Sequence, residues 1–241
     1  MERLRSGAEA LGVHLDPAQL ARFERYHELL LAGNQRTNLT RITDYDAVQV
    51  RHFLDSLSCV LALDDRERRR RVVDVGSGAG FPGIPLKIVF PAWRLTLVDS
   101  VGKRTAFLHD LVNGLELEGV RIVTARAEDA AHQPALRGRF DLALARALAP
   151  LPVLLELCLP FLRVGGRLIA LRKGDLGAEI EAARPALAAL GGGVPRLVPV
   201  DLEGLQDGRA LVVVEQARLS EHRYPRRAGT PERQPLGSIA D

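Results

Sequence analysis

Apolar residues in this chain recur with two alternating periods. Across 17–32 (PAQLARFERYHELLLA), Leu20, Phe23, Tyr26, Leu29 and Leu30 return every three or four positions, the spacing of one helical face. Asp16 suits the N-cap and Pro17 the first helical position, and Gly33 with Asn34 reads as the stop. Asp44 then caps a second expected helix reaching about Leu61. It turns Val48, Phe53, Leu54, Leu57 and Val60 inward and leaves Arg51, His52, Asp55 and Ser56 on its polar part, with His52 bonded along the helix surface or to the loop below. From Val72 onward, short apolar runs at 72–75, 95–98, 120–124, 140–145 and 167–171 alternate with helical stripes, among them Phe107, Leu108, Leu111 and Leu115. That alternation predicts strand–helix units around a parallel sheet. The final runs, Val194 to Val200 and Arg209 to Gln216, flank Asp207-Gly208 and read as an antiparallel closing hairpin.

Composition narrows the class. The 241 residues are 46% hydrophobic and 26% charged, as in folded proteins with one large core. The most apolar stretch, Leu148 to Leu162, is broken by three prolines and a glutamate, and MERLRSGAEALGV has no apolar signal core, so neither membrane spanning nor secretion is expected. Cys59 and Cys158 fall inside apolar patterns, and the six histidines are scattered, so no disulfide framework or metal site is expected and the protein reads as cytoplasmic. The net charge is +3, yet Lys87, Lys103 and Lys173 are the only lysines. Arginine forks suit phosphate and stack on bases, although a solvated arginine is the simpler reading of most single positions. The arginine-rich run 64–71 reads as a linker, giving expected units of 1–65 (helical cap), 66–217 (core) and 218–241 (basic tail, packed or frayed).

Candidate chemistry concentrates in RVVDVGSGAGFPGIPLKIVFPAWRLTLVDS, 71–100. Gly76, Gly78, Gly80 and Gly83 follow a strand and open a helix, a turn that lets backbone N–H groups approach a ligand. Asp99 lies 23 residues after Gly76, near the offset at which a carboxylate accepts ribose hydroxyls, which predicts an adenosine-containing cofactor. The glycines satisfy both a dinucleotide and an S-adenosylmethionine pattern. Asp74, just before the turn, would attract an amino-acid ammonium and repel a pyrophosphate, favouring S-adenosylmethionine; the competing role is a plain loop cap. A second loop, Ala125 to Asp129, follows the third strand and offers an amide and a carboxylate to an adenine. Arg146 ends the fourth strand, where many enzymes that methylate exocyclic base amines carry [DNS]PP[YF]; Arg146-Ala147-Leu148-Ala149 disfavours that reaction. Cys158 is too deep in an apolar helix to attack a cytosine ring.

Taken together, the chain resembles the RsmG (GidB) family of 16S ribosomal RNA guanine-N7 methyltransferases along nearly its whole length. The resemblance rests on Asn34-Gln35-Arg36-Thr37-Asn38-Leu39-Thr40, Arg51-His52-Phe53-Leu54-Asp55-Ser56-Leu57, DVGSGAGFPGIPL from Asp74, Leu97 to Arg104, Ala145-Arg146-Ala147, and Tyr224 to Pro231. Ala79, where many members have proline, and GSIAD after Leu236 depart from the pattern. It implies an α/β, Rossmann-like class I S-adenosylmethionine-dependent methyltransferase fold: a mostly parallel seven-stranded sheet with an antiparallel C-terminal hairpin and an N-terminal helical cap. The expected cofactor contacts are Asp74, Gly76, Gly78, Gly80, Phe81, Asp99, Ser100, Val101, Ala127, Glu128 and Arg146, with Arg146 also positioning the reaction. Asn34, Arg36, Asn38, Arg41, Arg104, Lys173, Arg226 and Arg227 are expected to face RNA. The partner would be 16S rRNA or the small ribosomal subunit, and the enzyme a monomer. Another RNA or a small molecule as substrate, a nicotinamide-dependent oxidoreductase and a non-catalytic RNA-binding module remain the competing readings.

Overall fold

The computed structural model describes residues 1–66 and 68–238. The last three residues of the expected tail lie outside them. One seven-stranded sheet runs in the order β3-β2-β1-β4-β5-β7-β6, formed by β1 (Arg71–Val75), β2 (Arg94–Asp99), β3 (Val120–Thr124), β4 (Phe140–Arg146), β5 (Leu162–Lys173), β6 (Arg196–Pro199) and β7 (Arg209–Glu215). β1 to β5 pair in parallel, Val72 lying opposite both Leu95 and Leu142. β7 enters antiparallel between β5 and β6, as the closing hairpin requires. The chain moves outward from β1 through β2 to β3, then returns to the far side of β1 as β4. That reversal opens a crevice beyond the carboxyl ends of β1 and β4, the place where open α/β sheets bind ligands.

The strands are apolar on both faces because both faces are covered. Val72, Leu97, Leu142 and Leu144 pack with Phe23, Tyr26 and Leu54 on one side, whereas Val73, Val75, Ala143 and Ala145 pack with Leu154, Leu155 and Leu187 on the other. The first layer holds α1 (Glu2–Ala10), α2 (Pro17–Thr37), a helical run over 45–62, α5 (Gly83–Val89) and α6 (Gly102–Gly114). The second holds α7 (Ala127–Ala130), α8 (Leu151–Cys158), α9 (Leu176–Leu190) and the C-terminal segment with α10 (Thr230–Arg233). The N-terminal helices thus share one continuous core with the sheet. No helix among the described residues is long and apolar enough to cross a membrane.

Four local departures from the periodicity bear on the site. α1 precedes the first expected helix, and the spacing of its buried Leu4 and Ala8, continued by Leu11, is the signal that marks it. α2 starts as expected, with a capping box between Asp16 and Gln19, but runs through Gly33 and Asn34 to Thr37 and stops at Asn38, whose φ is 47°. Gly33 is there because Phe107 lies against it: a Cβ would sit 2.5 Å from the ring. The helical run over 45–62 consists of α3 (Tyr45–Val48), a π-helical segment (Gln49–Leu54), α4 (Asp55–Leu57) and a 3-10 segment (Ser58–Ala62). The wider π turn shifts the helical phase, so His52, Asp55 and Ser56, expected on the polar face, are buried. Finally, β5 starts before the apolar run at 167–171 and carries an irregularity between Leu162, opposite Phe140, and Arg167, opposite Leu142.

Candidate active site

The strand ends place Asp99, Gly76 and Ala147 around one cavity of about 310 Å³, within the roughly 300–1,000 Å³ range of small-molecule sites. Asp99 ends β2 and is 3% exposed. Its Oδ1 accepts from the Val101 N–H and its Oδ2 from the Gly78 N–H, both at 2.9 Å, with Arg104 Nη1 at 3.7 Å. Each oxygen keeps a lone pair for a further donor. Glu128, on α7, also lines the cavity and accepts the Gly229 N–H at 2.8 Å. Val98, Leu148, Val153 and Leu157 supply an apolar wall. Of the expected cofactor contacts, Gly76, Asp99, Ser100, Ala127 and Glu128 line this space.

The remaining expected contacts lie elsewhere. Asp74 is fully buried beneath the glycine turn, where Oδ2 accepts the Gly83 N–H at 2.8 Å. It therefore caps the start of α5 instead of facing the cavity, and burial pushes its carboxyl up to about 7 against the lowering effect of the Gly83 bond. The turn offers few donors either: the N–H groups of Gly76 and Ser77 go to Val98 O, that of Gly78 to Asp99, and those of Gly80 and Phe81 to Ser77 O. Gly80 (φ 98°) serves packing, since a Cβ would meet the Tyr26 hydroxyl at 2.7 Å, and that hydroxyl donates to Ala79 O at 2.6 Å. Phe81 is stacked between Tyr26 and His52, with centroids at 5.2 and 4.5 Å. Val101 is exposed and absent from the cavity wall.

Arg146 occupies a second, wider hollow of about 560 Å³ that shares Ala147 with the first. Its Cζ lies 4.7 Å from the Phe81 centroid, and its Nη1 donates to Asp55 Oδ2 at 3.1 Å and to Arg51 O at 3.3 Å. Arg209 Nη1 donates to the other Asp55 oxygen at 2.6 Å, so one carboxylate holds two guanidiniums. His52 Nε2 is 2.8 Å from Thr40 Oγ1, the loop bond among the two expected for it. Burial and the Arg146 charge lower its ring from 6.5 to about 4. Five cationic residues line this hollow, Arg51, Arg146, Arg172, Lys173 and Arg209, against the carboxylates of Asp55 and Asp207. Ala147, at the junction of the two spaces, has φ 50°, a conformation strained for a residue with a Cβ.

The residues expected to face RNA divide. Arg36, Asn38, Arg41 and Arg227 are exposed, and Lys173 lines the second hollow with its Nζ 3.0 Å from Asp207. Arg104 lies instead at the first cavity, and Asn34 Oδ1 accepts the Thr40 N–H, bracing the loop. Arg226 is a structural anchor: its Nε and Nη2 bond the carboxylate of Glu156, which is fully buried. The periodicity gave no sign of Arg209 or of Pro231 and Glu232, which reach the two spaces from distant segments. Among the described residues, no group of three or more His, Cys, Asp or Glu side chains could hold a metal.

The first cavity fits S-adenosylmethionine: it joins a carboxylate with spare acceptor capacity, an apolar wall and a second carboxylate. The open space around Gly78, where a Cβ would meet only Gly76 O at 3.9 Å, leaves the approach clear. Comparisons with known proteins agree. A family model described as GidB, rRNA small subunit methyltransferase G, matches residues 19–202. Ribosomal RNA small subunit methyltransferase G of Dehalococcoides mccartyi (strain CBDB1) is 47% identical over 236 residues, 98% of this chain and 100% of its own length. The protein of the same name from Roseiflexus sp. (strain RS-1) is 44% identical over 236 residues, with the same coverage. Among solved structures, a mutant of MtNAS in complex with S-adenosylmethionine aligns with a TM-score of 0.54 at 19% identity, over 80% of this chain and 73% of that one. A predicted O-methyltransferase, protein Atu636 from Agrobacterium tumefaciens, aligns with a TM-score of 0.51 at 18% identity, over 69% of this chain and 82% of that one.

Proposed function

The chain belongs to the rRNA small subunit methyltransferase G (GidB) family, and from that premise we propose that it methylates N7 of a guanine in 16S rRNA, using S-adenosylmethionine in the cavity over Asp99. The fold is the class I S-adenosylmethionine-dependent methyltransferase fold, with its antiparallel β7. The observation that carries the reading is the junction at Ala147: a cofactor-sized cavity with carboxylates opens there beside a hollow rimmed by guanidiniums.

When bound, S-adenosylmethionine supplies an electrophilic methyl group, and guanine N7 offers an in-plane lone pair that carries no proton. The reaction therefore needs no general base, which accords with a His52 ring already bonded to Thr40 and stacked on Phe81. What the chain contributes is position, worth at best about 7–11 kcal/mol when two reactants are held in line. Asp55 fixes the Arg146 guanidinium at the rim of the hollow, where it meets a base face or a phosphate, and Ala147 borders both reactants' spaces. The enzyme acts as a monomer in the cytoplasm in this reading, on the naked RNA or the small subunit.

Incubating the protein with labelled S-adenosylmethionine and unmodified small subunits, then mapping the labelled nucleoside by mass spectrometry, tests the assignment. N7-methylguanosine is expected. Label on an adenine amine or a cytosine carbon would overturn it.

A further inference from the structure

The C-terminal segment does more than close the second helical layer. After β7 the chain bonds the end of α9, where Ser220 Oγ donates to Leu190 O at 2.7 Å, and is fastened at further successive points. Arg137 donates to the carbonyls of Ser220, Glu221 and Tyr224 at 2.7–3.0 Å, and His132 Nε2 lies 2.8 Å from Pro225 O. Arg226 binds buried Glu156 through both backbone and side chain. These anchors deliver Gly229 (φ 78°) to Glu128 and set Pro231 and Glu232 into the wall of the first cavity. The segment lies beyond the residues the family model matches.

We infer that this strap, residues 224–232, is part of the S-adenosylmethionine site, with Pro231 and Glu232 forming the wall beside Glu128. The inference rests on the cofactor reading given above. Glu128 is the shared element: one of its oxygens is held by the strap at Gly229, which fixes the carboxylate where it faces the cavity. Glu232 brings a second carboxylate to the same mouth and makes no ion pair among the described residues. Docking of the strap and binding of the cofactor are then one coupled equilibrium, each favouring the other by the same factor.

Two full-length variants undock the strap without touching the cavity floor. Gly229→Ala forces a Cβ onto a left-handed backbone whose surroundings are open, Arg233 Nη1 being the nearest atom at 3.6 Å. The double variant Arg226→Leu with Glu156→Leu removes the anchor without leaving a charge buried alone. Calorimetric titration with S-adenosylmethionine reads the affinity, and hydrogen exchange reads the strap amides. If the docked fraction falls to about a tenth, the apparent Kd rises about tenfold, and cofactor should slow exchange over 224–232 in the unmodified protein. Should the double variant fail to fold, Gly229→Ala carries the comparison alone. Unchanged Kd in a variant whose strap amides exchange freely would overturn the inference while leaving the cofactor reading intact. No binding of S-adenosylmethionine to the unmodified protein would overturn both.

Discussion

Arg146 and His52 share an environment that sorts their roles. Arg146 is held by Asp55, lies over Phe81 and opens on the hollow rather than on the cavity of Asp99. Arg146→Ala should therefore lower single-turnover methylation by about a hundredfold, the loss typical of a misplaced reactant, while changing S-adenosylmethionine affinity much less. Equal loss on the cofactor side, or no loss at all, would contradict that placement. His52 makes a separate, pH-dependent contribution. Its ring is neutral in the fold, lowered by burial and by Arg146 to about 4 from 6.5. A depressed value means that the stability is present above 6.5 and is lost as pH falls toward 4, amounting to about 2 kcal/mol at pH 5. Asp74 works in the opposite sense over the same window, because its carboxyl is raised to about 7 and favours the fold at lower pH. Comparing the native chain with His52→Phe, which keeps Asp74, isolates the histidine. Between pH 7 and pH 5 the native chain should lose about 4–8 °C more in Tm than the variant.

At the scale of elements, packing explains where periodicity misled. A glycine after an apolar stripe reads as a helix stop, but Gly33 lies inside α2 because Phe107 of α6 occupies the space of its side chain. Gly33→Ala should consequently forgo the gain of about 1 kcal/mol that alanine brings to an exposed helix and lower Tm, since overpacking costs roughly 1–3 kcal/mol. In a Phe107→Leu background the ring that crowds the new methyl group is gone, so the same Gly33→Ala change should raise Tm. A double-mutant cycle read by thermal unfolding should therefore show strong coupling between the two positions, and additive effects would refute the steric account. The five parallel strands and the closing hairpin were legible because their apolar runs are short and bounded by turn residues. The turn and Asp99 were legible by spacing. The burial of His52, Asp55 and Ser56 beside the inward Phe53 and Leu54 was not, since a π segment leaves no mark in a pattern judged against the α-helical period. The setting of Asp74 was not legible for a related reason: its place at a strand end was clear, whereas its burial under Gly83 depends on the tertiary path of the turn.

Across the whole molecule, the net charge of +3 says little, because the charge is distributed by what each arginine is paired with. Arg226 is spent on Glu156, Arg172 on Glu179 and Arg163 on Asp141, all within the fold. Arg51, by contrast, is exposed at the rim of the hollow and makes no ion pair among the described residues. Only cations of the second kind can displace counterions from RNA, and each phosphate contact contributes about 0.7–0.9 to the slope of log affinity against log salt. Arg51→Gln should therefore reduce that slope by about 0.7–0.9 in filter binding to small-subunit rRNA, with Tm unchanged. Arg172→Gln should do the reverse, lowering Tm because it leaves half-buried Glu179 without its partner, with little change in slope. A slope that responds equally to both would mean that RNA is held by the arginine content at large. A slope that responds to Arg51 alone would tie the substrate to the hollow beside Ala147, where segments far apart in sequence, Arg51 to Asp55, Arg146 and Asp207 to Arg209, are brought together by the return of β4 alongside β1.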